Sequence, residues 1–187
     1  NNSGDVFQEV NIKPHDKVNI SIKNKGQGDI FVRLLGKTQP LTDKNPAEAN
    51  GVKLYVKYID ENGKELDVSS LRQGTEFYAN VIVQNISGQY LTDMTLDQIF
   101  ASGWEIFNNR LFNEADTRTA GAYNYQDIRD DRVYTYFNLG TGYSISFKVR
   151  LQAAYCGKFY LPAVASSAMY SPDINGRTTG QWVEVKQ

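Results

Sequence analysis

Short segments in which apolar and polar residues alternate recur along this chain of 187 residues, and they constrain its fold more than any other feature. The alternation is clearest over 52–59, 77–84 and 143–153. Successive side chains of a β-strand point to opposite faces of the sheet, so this pattern predicts strands with one buried face. Turn residues rich in Gly and Asn separate the segments.

The alternating segments together predict an all-β protein. No helical periodicity separates them, which argues against a parallel α/β sheet. About ten or eleven short strands with such turns are typical of an antiparallel β-sandwich of immunoglobulin-like architecture. Residues 113–130 are read as a long ordered loop. The predicted strands are 6–12, 17–23, 30–35, 52–59, 77–84, 94–100, 132–139, 143–153, 158–165 and 182–186.

A break in the pattern suggests two parts. Prolines and small polar residues interrupt any regular structure between 38 and 51. We therefore predict leading strands and a linker in 1–50 and a main β-sandwich domain in 51–187. The first three strands are expected to form an antiparallel meander. It either ends a preceding small β-domain or adds to the same sandwich.

Composition argues against several kinds of function. The formal net charge is −1, which gives no basic excess for nucleic acid, and no apolar run is long enough for direct membrane insertion. His15 and Cys156 are the only residues of their types, so neither a zinc site nor a nucleophile–base pair is expected. We predict that Cys156 is a buried small residue, that the chain needs no cofactor, and that it is not an enzyme.

Two further features are predicted to be structural. Residues 129–132 alternate in charge, and neighbouring aspartates on a strand point apart, which disfavours a catalytic carboxylate pair. We expect one arginine of this run to hold one aspartate with two hydrogen bonds and to fix the long loop to the sheet. The tryptophans are expected to support the fold, and Trp104 is predicted to be buried. The residues concerned are Trp104, Arg129, Asp130, Asp131, Arg132 and Trp182.

Five segments occur along the chain in a characteristic order, at 52–63, 71–75, 93–111, 127–133 and 161–185. Together they resemble the final macroglobulin-like domain of bacterial α2-macroglobulins. The resemblance covers about residues 51–187. Where the family usually reads Leu-Pro-Ala-Gly-Trp-Glu, this chain has Phe100-Ala101-Ser102-Gly103-Trp104-Glu105, a modest departure.

The resemblance implies a role without catalysis. Such proteins present a bait segment to a protease, rearrange when it is cut, and can bond to the protease through a thioester in a Cys-x-Glu-Gln motif. Here the only cysteine begins Cys156-Gly157-Lys158-Phe159, so the thioester would lie elsewhere in a longer chain. The terminal domain is expected to pack against that region and shield it from water.

A loop near the end of the chain is the candidate contact with the thioester region. Met169, Tyr170, Pro172 and Asp173 form it, and an aromatic side chain is an efficient lid over a reactive group. Pro172 restricts the backbone and favours an extended residue before it. The alternative for Tyr170 is a cap on the sandwich's own core.

The resemblance also implies partners and a location. The partners would be the other domains of the same long chain and, through the intact protein, trapped proteases. The protein would lie in the periplasm or cell envelope as part of a lipoprotein. The rival hypothesis is a carbohydrate-binding or adhesive β-sandwich, whose platform would comprise Tyr123, Tyr125, Tyr134, Tyr136 and Asp127.

Overall fold

A computed structural model describes residues 19–35, 46–107 and 123–187. These ranges contain thirteen strands and no helix, which confirms the predicted all-β fold. The strands are β1 (Glu48–Asn50), β2 (Val52–Ile59), β3 (Ser70–Arg72), β4 (Glu76–Asn85), β5 (Leu91–Ile99), β6 (Trp104–Ile106), β7 (Tyr125–Ile128), β8 (Arg132–Leu139), β9 (Ser144–Ala153), β10 (Gly157–Leu161), β11 (Ala165–Ala168), β12 (Ser171–Arg177) and β13 (Gln181–Lys186).

The strands form three sheets. The largest has six strands in the order β1-β12-β11-β5-β8-β7, the second has four in the order β2-β4-β9-β6, and the third joins β10, β13 and β3. All neighbours pair antiparallel except β13 and β3, which run parallel. β1 pairs with β12, so residues 48–50 of the predicted leading segment belong to the large sheet.

Two clusters of buried side chains lie between the sheets. One surrounds Phe77 and Trp104 and also takes residues from β13. The other surrounds Met94, Phe137 and Phe147, with valines from β2 and β4. β4 shows why the pattern works: its residues alternate strictly between buried and half-exposed, as the alternation of its side chains predicts.

The leading strands predicted at 17–23 and 30–35 are wrong where the structure describes them. Residues 19–35 contain only a bend near Gly26, and all of them are exposed. The turn between the two segments is present, because the Asn24 side chain accepts from the Gly26 N–H at 2.9 Å and donates to the Gly28 carbonyl at 2.6 Å. The strand predicted at 6–12 lies outside the described residues.

The predicted long loop is partly wrong. Residues 125–128 form β7, which pairs with β8 in register from Tyr125 opposite Tyr136 to Ile128 opposite Val133. A four-residue strand is too short to show a clear alternation, so its partner decides its conformation. Of the remainder of the predicted loop, 113–122 lies outside the described residues.

Cys156 is exposed, which contradicts its predicted burial. It lies in the turn between β9 and β10, where its Sγ contacts Oε1 of Gln73 at 3.2 Å. The apolar residues around Cys156 predicted a buried strand position, but β9 ends at Ala153 and leaves Cys156 in the turn.

Within the described ranges, no helix has the length and apolar character needed to cross a membrane.

Candidate functional site: the apolar end of the sandwich

Three turns at one end of the sandwich expose large apolar side chains to solvent, one within a hairpin and two between strands of different sheets. They join β4 to β5, β8 to β9 and β11 to β12. Register places them together, since Leu91 at the start of β5 is opposite Leu139 at the end of β8, and Met94 is opposite Ala168 of β11. We call this surface the apolar end; it comprises Ile86, Tyr90, Tyr143, Met169 and Tyr170.

The β11–β12 turn contributes the two residues that the sequence analysis singled out. Tyr170 is 80% exposed and Met169 is 53% exposed. Tyr170 therefore does not cap the sandwich's own core, the alternative that the sequence left open. Both side chains are available for contact with another surface.

A bulge in the neighbouring strand holds this turn in place. The Met169 N–H donates to the Asp93 carbonyl at 3.0 Å, and the Asp93 N–H donates to Oδ1 of Asn138 at 3.0 Å. Asp93 has a φ of 52°, a left-handed conformation that a non-glycine residue adopts only when its surroundings hold it there. The pairing of β5 with β8 shifts register at this point, as in a β-bulge.

Pro172 and Asp173 belong to β12 rather than to the predicted loop. The pairing of β11 with β12 passes from Ala168 opposite Ser171 to Ser167 opposite Asn175, so residues 172–174 bulge out of the ladder. A bulge tolerates proline, which has no N–H to pair. The Pro172 carbonyl instead accepts from the Asn175 side chain at 2.8 Å.

Asn85 ties two turns of the apolar end to each other. Its buried amide nitrogen lies 2.8 Å from the Gln89 carbonyl, 3.1 Å from that of Leu139 and 3.0 Å from that of Gly140. Its Oδ1 accepts from the N–H and hydroxyl of Ser87. One side chain thus satisfies backbone groups of both the β4–β5 and β8–β9 turns.

The apolar end is suited to binding and offers no reactive group. Its exposed side chains are aliphatic, thioether or phenol, and each reaches solvent from a turn held by backbone hydrogen bonds. In the parts of the chain that the structure describes, no group of three His, Cys, Asp or Glu residues is placed to hold a metal ion. The surface can bury apolar area against a partner, which is the usual meaning of clustered exposed apolar residues.

The charged run at 129–132 forms local pairs at the β7–β8 turn. Arg132 holds Asp131 with two hydrogen bonds of 2.8 and 2.6 Å, which matches the predicted geometry. This hydrogen bonding lowers the pKa of the Asp131 carboxyl. Arg129 pairs with Asp127 at 2.9 Å, and Asp130 is exposed. Both pairs join residues of one hairpin, so they do not connect the predicted long loop to the sheet.

The two tryptophans lie in different surroundings. Trp104 is 3% exposed, and its ring packs edge-on against those of Phe77 and Tyr58 with centroids 4.9 and 5.7 Å apart. Trp182 is 54% exposed on β13, where it contacts the Tyr160 ring and the Lys158 ammonium.

The four tyrosines predicted to form a carbohydrate-binding platform are divided between core and surface. Tyr123 packs against the cluster around Phe137, whereas Tyr125 and Tyr136 are cross-strand neighbours with ring centroids 5.8 Å apart and planes tilted by 36°. The hydroxyl of Tyr134 accepts from Arg132 at 3.1 Å. The structure therefore brings together two of the four rings, those of Tyr125 and Tyr136.

Sequence reasoning missed Ile86, Tyr90, Tyr143 and Asn85. Tyr143 was assigned to the buried face of a strand, but it lies in the β8–β9 turn and is exposed, because β9 starts at Ser144. Ile86 and Tyr90 stand among the turn residues Ser87, Gly88 and Gln89. Large apolar residues inside a predicted turn are a sequence signal for such an exposed surface.

Comparisons with known proteins identify the family. Residues 51–173, well over half of the chain, match the family described as Bacterial Alpha-2-macroglobulin MG10 domain. The chain belongs to the bacterial alpha-2-macroglobulin family. An alpha-2-macroglobulin of Rickettsia conorii is 29% identical over 160 residues, which cover 82% of this chain and 8% of that protein.

Solved structures of bacterial alpha-2-macroglobulins share the fold. The methylamine-reacted protein from Salmonella superposes with a TM-score of 0.68 at 18% identity, over 76% of this chain and 10% of that one. The native Escherichia coli protein gives 0.69 at 17% identity, over 81% and 10%. The chain thus spans about a tenth or less of each of these three relatives. It is a macroglobulin domain, and the relatives that contain such a domain are much longer proteins.

Proposed function

We propose that this macroglobulin domain is a non-catalytic C-terminal module of a protease-trapping inhibitor, and that its apolar end packs against the thioester region and shields it from water. The observation that carries the proposal is the outward position of Met169 and Tyr170 on an anchored turn. An activated acyl group survives only where water is excluded, and an apolar contact excludes water. The parent protein would lie in the periplasm or cell envelope, anchored as a lipoprotein.

The wider apolar end supports a protein partner. Five large side chains from three turns are exposed together. Burying them against a partner would stabilise the complex by about 25 cal/mol for each Å² of apolar area removed from water. Their backbone is fixed by Asn85 and by the Asp93 carbonyl, so docking costs little ordering. A preformed apolar surface of this kind fits contact with another domain of the same chain.

The size of the native polypeptide is the first test. An antibody against residues 46–187 would be used to blot cells of the source organism. A band many times larger than the chain is expected for a module of a trap. A band of the chain's own size would reject the proposal and promote the free-standing carbohydrate-binding sandwich, which a glycan array would then examine.

The lid role of Tyr170 is tested in the intact parent protein. Replacing Tyr170 with Ala should speed spontaneous loss of the thioester severalfold, measured as methylamine uptake and release of a free thiol. Tyr155→Ala is the matched control, because Tyr155 is an exposed turn residue at the opposite end of β9. Equal rates for the two variants would remove Tyr170 as the lid.

A further inference from the structure

The outer face of the six-stranded sheet carries a tyrosine between two carboxylates. Register places Asp97 of β5 opposite Tyr134 of β8, and Tyr134 opposite Asp127 of β7. Directly opposed residues on one face have Cβ atoms about 5 Å apart, so both aspartates share one cross-strand row with Tyr134. The two sides of Tyr134 can therefore be compared directly.

A guanidinium fills the side toward Asp127. The Nε atom of Arg129 donates to Oδ2 of Asp127 at 2.9 Å. The guanidinium carbon of the same residue lies 5.5 Å from the centroid of the Tyr134 ring. Arg129 thus pairs with the carboxylate and lies over the aromatic face, two interactions that a planar cation combines well.

On the side toward Asp97, a carboxylate again lies opposite Tyr134, but no described residue takes the place that Arg129 has on the other side. The Asp97 side chain is half-buried, and it makes no hydrogen bond or ion pair with any residue in 19–35, 46–107 or 123–187. Burial raises the pKa of this carboxyl. A half-buried charge without a partner is unfavourable, and an incoming cation would remove that cost.

The arginines of the neighbouring strands on this face are already engaged. Arg177 of β12 lies opposite Ala165, which in turn lies opposite Asp97, and it pairs with Glu48 at 3.2 Å. Arg132 lies opposite Ile99, two residues along β5 from Asp97. It holds Asp131 with two hydrogen bonds and donates to the Tyr134 hydroxyl at 3.1 Å. Drawing Arg132 to Asp97 would break a bidentate pair, so we look outside the described chain for the cation.

We propose that the Asp97 side of Tyr134 binds an arginine side chain from another domain of the parent protein, placed as Arg129 is placed on the Asp127 side. The inference rests on the proposed function, because it requires this chain to be one module of a longer one. We choose an arginine because its positive charge complements the Asp97 carboxylate. The match covers only 8–10% of each of these relatives, so most of the parent's surface lies beyond this domain.

Arginine suits this place better than lysine or a sugar. Its flat guanidinium can pair with the Asp97 carboxylate and lie against Tyr134 at once, whereas the compact ammonium of lysine cannot do both as well. A sugar hydroxyl would also satisfy Asp97, but a neutral asparagine would accept that hydrogen bond almost equally. Replacing Asp97 with Asn therefore distinguishes a cation from a sugar.

The first arm of the test uses the 187-residue chain and N-acetylarginine amide as the probe. NMR titration should show saturable shifts at Asp97 and Tyr134 and a fall in the pKa of Asp97 when the probe is bound. Asp97→Asn should abolish the shifts, whereas Glu61→Gln, which changes an exposed turn carboxylate, should keep them.

Three results of this arm would overturn the proposal. The probe could leave the resonances of Asp97 and Tyr134 unmoved. Chitotriose could shift them in both the unchanged chain and Asp97→Asn, which would mark a sugar site. The pKa of Asp97 in the free chain could lie below its usual range, which would mean that a cation of the chain itself already fills the place.

The second arm tests the source of the arginine in the parent protein. Tyr125 borders this face and is exposed in the described chain. Hydroxyl-radical footprinting should modify Tyr125 severalfold more slowly in the parent than in the 187-residue chain. Asp97→Asn in the parent should restore the faster rate, and Glu61→Gln should not.

The two proposals fail in different ways. Equal modification of Tyr125 in parent and chain would reject docking at Asp97, while a large native polypeptide would still support the trap module. A native polypeptide of the chain's own size would reject the module and the interdomain source together. In that case, binding of the arginine probe would still show that the site itself takes a guanidinium.

Discussion

Residues 19–35 and the sandwich share the same sequence pattern but not the same structure. In both, apolar residues recur at every second position, as in Ile20 and Ile22 or in Val81 and Val83. Val81 and Val83 are fully buried on a paired strand, whereas Phe31 is 99% exposed and no strand forms in 19–35. Alternation identifies the face that a strand would bury, but it carries no information about the partner.

The difference arises because a strand is completed by residues far away in sequence. β4 pairs along its length with β2 on one side and β9 on the other, and its inner face packs against the opposite sheet. An isolated pair of short segments has neither a covered face nor enough hydrogen bonds to be stable in water. Residues 19–35 therefore have the composition of strands and the exposure of a loop.

The largest expected effect tests burial in the sandwich through its two tryptophans. Replacing Trp104 with Ala should lower the free energy of unfolding by about 3–5 kcal/mol, because a buried ring and its contacts with Phe77 and Tyr58 are lost. Trp182→Ala should cost only about 1 kcal/mol, the value of one exposed aromatic pair. Urea denaturation of both variants measures the difference, and equal midpoints would contradict the assignment of core and surface.

A smaller effect is expected at Asn85, which joins the turns of the apolar end. Asn85→Ala leaves the buried Leu139 carbonyl without its side-chain donor, so we expect a loss of about 1–3 kcal/mol. Asn80→Ala on the same strand is the control, because the Asn80 side chain accepts its hydrogen bond from an exposed group, the Ser146 hydroxyl. Thermal unfolding measures the melting temperatures of the two variants. Similar melting temperatures would show that the turns are held by other contacts.

The sequence predicted the regular strands of the sandwich well. The bounds of β8 are those predicted, and β9, whose sequence alternates strictly, differs by one residue. Asn62 and Gly63 are an example of the predicted Gly- and Asn-rich turns, with Gly63 at a φ of 81° and its N–H bonded to the Asp60 carbonyl.

What the sequence could not show depends on contacts between distant residues. β7 is too short to have its own pattern and exists because β8 offers an edge. The exposure of Tyr143 and Tyr90 follows from where the strands end, and the position of Asp97 beside Tyr134 follows from register. The placement of Tyr170 on the surface likewise required the pairing of Met169 with Asp93.

The smallest expected effect returns to the leading segment. Residues 1–39 and 40–187 are separate compact units, and the described part of the first unit is exposed throughout. A chain trimmed to 40–187 should keep its free energy of unfolding within about 0.5 kcal/mol, because the described residues that are lost, 19–35, are exposed. It should also aggregate less, since exposed apolar side chains such as Phe31 are lost.

Urea denaturation and light scattering of the two chains test this expectation. Unchanged stability would support the hypothesis that the leading strands end a preceding small β-domain and need a partner from upstream in the parent protein. A clear fall in stability would instead mean that they add to the sandwich. The apolar residues that alternate in 19–35 would then pack in the same core as those of β4, and the contrast between the two regions would disappear.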